Sequence, residues 1–172
     1  EMFPHLEADF PEQAHGLQDT IKRYQVPQSQ DGKVGIGTLK ANSTMEELLR
    51  TKRRRPNGES YDFESVLQEL ARKNGLNPNI VKGIIFIESH GRPNAKSDAG
   101  AVGIGQFMPD TAVRYGLADK VIRDEKGNVV EVIGDRRQNP YDSLVAMSRY
   151  LGDLRDLFGG NMGLATWAYH AG

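Results

Sequence analysis

From Asp62 onward, apolar residues recur at helical spacing through most of the chain. Phe63, Val66, Leu67, Leu70 and Ala71 share one face behind an N-cap residue at Asp62 and stop at Gly75, which predicts a surface helix with a single apolar stripe. A second helix is predicted from Pro78, the favoured first-turn residue, through Ile80, Val81, Ile84, Ile85 and Ile87. It is apolar on more than one side, so it is expected to be the most buried helix. Between Ser89 and Gly105 the periodicity gives way to glycine and small polar residues, and Pro109 then opens a short helix through Thr111, Ala112 and Tyr115. Val121-Ile122-Arg123 and Val129–Ile133 flank a glycine-containing polar turn and predict a β-hairpin. Pro140 starts a long helix through Leu144, Met147, Tyr150, Leu151, Leu154 and Leu157, closed by Gly159-Gly160, and a last apolar helix runs from Leu164 to Tyr169.

The first sixty residues read differently. Residues 11–25 fit a helix with Leu17, Ile21 and Tyr24 on one face, followed by a glycine-punctuated stretch and a short helix capped at Ser43 or Thr44. The run Lys52-Arg53-Arg54-Arg55-Pro56-Asn57-Gly58 reads as an exposed, solvated linker. The expected division is therefore an amino-terminal segment over 1–58 and a helical domain over 59–172.

Composition narrows the chemistry. The 172 residues contain no cysteine, which removes disulfides, thiol nucleophiles and cysteine metal sites together. Net charge is −1 and is balanced within both parts, nine Lys/Arg against nine Asp/Glu over 1–60 and thirteen against fourteen over 61–172, which argues against a nucleic-acid partner. No apolar run approaches the roughly 20 residues of a membrane span. No HExxH or other clustered ligand spacing is present, so no metal is expected, and nothing points to a nucleotide or flavin.

The candidate chemistry sits at Glu88, at the end of the most apolar helix and directly before the glycine-rich loop. A carboxyl held against apolar neighbours loses solvation of its charged form, so its pKa rises and it can act as an acid near neutral pH. The alternative is a helix-end glutamate that turns to water, and periodicity leaves the choice open. Asp98 and Asp110 fit a turn and a helix start, and neither is taken as a second catalytic carboxylate.

The twenty-five residues ESHGRPNAKSDAGAVGIGQFMPDTA, Glu88 to Ala112, decide more than the pattern does. They resemble the signature of the soluble lytic transglycosylase and goose-type lysozyme superfamily: glutamate-serine, a loop with Pro-Asn-Ala and Ser, Gly-Ala-x-Gly, Gln-x-Met-Pro and Thr-Ala. NPYDSLVAMSRYL resembles that family's next helix, and ATWAYHAG resembles its AYNAG motif. The resemblance covers about residues 60–172 and implies a mainly α, lysozyme-like helical domain with a small β-hairpin.

It also implies a function. Glu88 would be the sole catalytic acid/base of a peptidoglycan lytic transglycosylase, protonating the β-1,4 bond between N-acetylmuramic acid and N-acetylglucosamine. It would then take a proton from the muramoyl 6-hydroxyl and close a 1,6-anhydro ring. Ser97 matches a loop serine that hydrogen-bonds the catalytic carboxylate or the N-acetyl group, with a turn-forming serine as its plain reading. Gln106 and Met108 match a pair lining the cleft, and core packing is the plain reading of Met108. Tyr169 matches a tyrosine whose hydroxyl orients the glutamate. Gly100, Gly103 and Gly105 would let backbone approach a sugar chain closely or take positive φ.

Two departures stand out. His170 replaces the asparagine of AYNAG; either residue can hydrogen-bond an acetamido group, but histidine is bulkier and titrates near pH 6–7. Family members continue past this motif into at least one more helix, so the domain at 59–172 is expected to be trimmed or incomplete at its carboxyl end. Toward the amino terminus, DGKVGIGTLK, Asp31 to Lys40, resembles the DGxxGxxTL motif of small peptidoglycan-binding modules, which makes 1–58 either a degenerate module of that kind or a helical arm that a protein partner could engage. The polymer implies work in the periplasm, outside the cell or as part of a phage. The competing readings are a hydrolytic goose-type lysozyme and a wall-binding module that has kept the fold without turnover.

Overall fold

The computed structural model describes residues 44–172. The expected helix over 11–25 and the DGKVGIGTLK motif lie outside the described residues. Residues 44–50 are helical and lead into a two-stranded hairpin, β1 (Lys52–Arg54) and β2 (Ser60–Asp62). There follow α1 (Phe63–Lys73), α2 (Pro78–Ser89), α3 (Pro109–Arg114), the hairpin β3 (Lys120–Arg123) and β4 (Val129–Ile133), α4 (Pro140–Leu157) and α5 (Met162–Ala171). The architecture is mainly helical with small antiparallel sheets, as expected.

Helix boundaries follow from local chemistry. The Asp62 carboxylate accepts from the Ser65 amide at 2.8 Å and the Ser65 hydroxyl at 2.6 Å, which caps α1 and holds Asp62 below the usual carboxylate range. Asn77, Asn139 and Asn161 cap α2, α4 and α5 in the same way, and proline occupies the first turn of α2 and α4. Gly75, at φ +67°, releases the chain from α1 in a conformation that side chains with a Cβ resist.

The core lies where α1, α2 and α4 meet. α1 contributes Phe63, Leu67 and Ala71, α2 contributes Val81, Ile84, Ile85 and Phe86, and α4 contributes Leu144, Met147 and Leu151. α5 packs along α4 and brings Tyr169 into the same cluster. Tyr141, at the start of α4, makes edge contacts with Phe63 at 5.4 Å and Tyr61 at 5.8 Å.

The basic run corrects one expectation. Its residues are exposed, but Lys52, Arg53 and Arg54 pair with Asp62, Tyr61 and Ser60 as a strand rather than forming a free linker. The Arg53 guanidinium lies 4.3 Å from the Tyr141 ring centroid and donates to Asn139 Oδ1 at 3.3 Å. Tyr141 returns a hydrogen bond to the Thr51 carbonyl at 2.7 Å, and Met45 and Leu48 are buried in the core. Residues 44–62 thus pack with the helices. No helix among the described residues is long and apolar enough to cross a membrane.

Candidate active site

Glu88 sits in the last turn of α2, where the helix turns sharply. His90 takes the left-handed conformation, φ 53°, and its amide donates to the Phe86 carbonyl at 2.9 Å, which closes α2 immediately after the glutamate. The chain then runs through an irregular loop to Met108, tied by isolated bridges pairing Lys96 with Val102 and Val102 with Phe107.

Ser89 locks this junction. Its side chain is buried, and its hydroxyl shares its proton between the carbonyls of Ile85, at 3.0 Å, and Ile104, at 2.9 Å, while its oxygen accepts from the Gly91 amide at 3.2 Å. One hydroxyl therefore binds the end of α2 to the far limb of the loop. Arg137 does the same from the other side. Its side chain is 5% exposed, grips Asp135 through two parallel hydrogen bonds of 2.9 and 2.8 Å, and donates to the carbonyls of Gly100 at 3.0 Å and Phe107 at 2.8 Å. That clasp holds the Asp135 carboxyl below its ordinary range. Neither Ser89 nor Arg137 had an assigned role in the sequence. Ser89 was legible as part of the glutamate-serine pair, whereas only burial singles out Arg137 from its charged neighbours.

The expected glycines serve the protein itself. Gly100 and Gly103 have positive φ, +95° and +87°, and a Cβ on Gly103 would lie 1.9 Å from the Arg137 carbonyl oxygen. Gly105 is needed for space: a Cβ there would meet the Tyr169 hydroxyl at 2.6 Å and Met147 Cγ at 2.7 Å. What Gly103 and Gly105 admit is thus neighbouring protein.

The site residues occupy the following positions. The Glu88 side chain is 12% exposed, and burial pushes its carboxyl above the ordinary value, partly offset by the His170 hydrogen bond and charge. His170 Nδ1 lies 2.9 Å from Glu88 Oε1, and the imidazole is 57% exposed. Gln106, in the left-handed region at φ 49°, spends its amide on the carbonyls of Ala95, 3.1 Å, and Gly103, 2.9 Å. Met108 is exposed at the start of α3, where it shares a recess with Gln106, Thr111, Tyr150 and Tyr169.

Two placements differ from expectation. The Tyr169 hydroxyl, fully buried and with its phenol pushed well up by that burial, donates to the Gly105 carbonyl at 2.7 Å. Glu88 acts on that phenol electrostatically, raising it further, and the hydrogen bond from α5 to Glu88 comes from the next residue, His170. Ser97 is exposed, and its hydroxyl accepts from the Ala101 amide at 3.0 Å, the turn-forming arrangement. Of the two aspartates set aside, Asp98 is exposed and Asp110 is paired with Arg123 at 2.6 Å.

The arrangement is a lone, poorly solvated carboxyl at the meeting point of a helix end, a pinned loop and a second helix. Such a group holds its proton to higher pH than a surface glutamate and can deliver it to an oxygen brought to it.

Comparison with known proteins gives a consistent picture. The family model described as transglycosylase SLT domain matches residues 65–172. The chain is similar to the peptidoglycan transglycosylase gp16 of Escherichia phage T7, with 30% identity over 111 residues, which is 64% of this chain. It spans 8% of the length of that relative.

Proposed function

The chain belongs to the transglycosylase SLT domain family, and from that membership we propose that it is a peptidoglycan lytic transglycosylase in which Glu88 is the sole catalytic acid and base. The observation that carries this reading is the Glu88 carboxyl, 12% exposed and raised in pKa, at the junction of α2, the glycine loop and α5. In the first half of the reaction the protonated carboxyl gives its proton to the glycosidic oxygen between N-acetylmuramic acid and N-acetylglucosamine, and the C–O bond breaks. Positive charge at the anomeric carbon is met by the substrate's own N-acetyl group. The Glu88 carboxylate then removes the proton of the muramoyl 6-hydroxyl, whose oxygen closes on the anomeric carbon to give a 1,6-anhydro ring. No water is consumed, and Glu88 ends the cycle protonated again.

Among the described residues, the influences that shift the Glu88 carboxyl are its own burial and His170, with no second carboxylate among them, and this favours a cycle run by one carboxyl over the usual two-carboxylate scheme. Ser97, Gln106, Met108, Tyr169 and His170 are assigned to the substrate cleft. Gln106 and Tyr169 act by fixing the loop backbone through Ala95, Gly103 and Gly105, while exposed Met108 and Ser97 offer contacts to sugar. Such a polymer calls for work in the periplasm, outside the cell or in a phage particle, and residues 1–58 are read as a degenerate wall-binding module or arm whose last part, from residue 44, packs with the helices.

Glu88→Gln decides the assignment. Muropeptide release from purified sacculi should fall by at least about 10³-fold with the circular dichroism spectrum unchanged, and undiminished release would overturn the role of Glu88. Mass spectrometry of the products separates the two chemistries, since a hydrolase adds one water that an anhydro product lacks. Retention on sacculi without soluble muropeptides would instead mark a binding module.

A further inference from the structure

His170 and Glu88 come from positions 82 residues apart and meet in a single hydrogen bond of 2.9 Å between Nδ1 and Oε1. We propose that His170 is the positioning residue of the site, its ring gripping the Glu88 carboxyl and holding it in place through both halves of the cycle. The inference rests on Glu88 being the acid and base, and it gives a specific task to the position where this sequence has histidine instead of asparagine.

Geometry carries the argument. The carboxyl is 12% exposed and the imidazole 57% exposed, so the hydrogen bond ties a largely enclosed acid to a ring that reaches the surface of the described residues. Imidazole fits both halves of the cycle. With its Nδ1 unprotonated it accepts from the neutral carboxyl, and with Nδ1–H it donates to the carboxylate left after proton transfer. An asparagine amide can present a donor or an acceptor but cannot exchange a proton with the acid.

From α5 the titratable groups beside Glu88 are His170 and Tyr169. The Tyr169 hydroxyl hydrogen-bonds Gly105, and its phenol is raised by burial and then by the nearby Glu88 charge. From α4, Tyr150 lies behind Tyr169 at 5.0 Å between ring centroids. On α2 itself the His90 ring stacks on Phe86 at 4.8 Å. The charged residues of the adjoining loop, Arg92, Lys96 and Asp98, are exposed, and Arg92 Nε donates to the Ser89 carbonyl at 3.1 Å.

Two measurements test the pairing. In His170→Ala the pH profile of kcat/KM should extend to higher pH on its alkaline side, because the partner that favours the carboxylate is gone and burial acts alone. An alkaline limb at the wild-type position overturns the proposal. The second measurement needs no activity. At one fixed pH, the Nδ1 chemical shift of His170 should differ between the wild-type protein and Glu88→Gln, which replaces the carboxyl partner by an amide. An identical shift in both proteins overturns the pairing. Wild-type protein that releases no muropeptides while showing the difference overturns the transglycosylase reading and leaves the pair standing.

Discussion

Glu88 sets reactivity against stability. Its folded pKa is raised above the unfolded value, so between those two values the native state binds more protons than the unfolded chain. Stability then falls as pH rises through that window, and the loss is complete above the folded pKa. Glu88→Gln, which keeps the shape and removes the charge, should therefore unfold at a higher temperature than wild type at pH 8. The difference should vanish at pH 3, below the ordinary carboxylate range, and a variant no more stable at pH 8 would contradict the burial argument. The carboxyl was legible from its place in the chain, at the end of an apolar helix and at the head of a long spaced signature. The histidine that touches it was legible only as a substitution, because no periodicity reports a contact across 82 residues.

Among the elements, the loop between α2 and α3 is tied down by buried Ser89 and Arg137 rather than by periodic hydrogen bonds. Arg137 joins two loop carbonyls and Asp135, so Arg137→Ala removes four side-chain hydrogen bonds at once, leaving the Phe107 carbonyl only the Val102 amide and Asp135 only the amide of residue 137. The expected cost is about 3 kcal/mol, read as a lower denaturant midpoint at constant slope. Gly103→Ala should be comparably severe, since both its positive φ and the Arg137 carbonyl exclude a methyl group. A loss below about 0.5 kcal/mol in either variant would show that the loop is not pinned at these points. Over the described residues, the helices and the β3–β4 hairpin were legible in the sequence because their caps, proline positions and turn glycine are local. β1 was not legible, because Lys52–Arg54 carries no apolar alternation. That strand is secured by Tyr61 and by the face of Tyr141, the latter far along the chain.

At the scale of the whole molecule, the described residues share one core, to which Met45 and Leu48 belong as fully as Leu144 and Leu151. Residues 44–62 should therefore unfold together with the helices in a single transition. Tyr141→Phe removes the hydroxyl that reaches the Thr51 carbonyl and should lower stability by about 1 kcal/mol without splitting that transition. Two separate transitions, by tyrosine fluorescence and by far-ultraviolet circular dichroism, would show the amino-terminal part to be independent.

The contact between Gly105 and Tyr169 reaches beyond the present sequence. The Tyr169 hydroxyl sits where a side chain at 105 would begin, and it hydrogen-bonds the carbonyl of that same residue. Neither position can therefore change freely while the other stays as it is. A methyl group at 105 is excluded while tyrosine occupies 169, and a smaller residue at 169 leaves a void and an unpaired carbonyl that Gly105 cannot fill. For sequence drift, positions 105, 147 and 169 act as a single site, because Met147 crowds the same space. Alanine at 105 becomes tolerable only after 169 has been reduced and Met147 has given way, so the order in which substitutions arrive determines which variants remain folded.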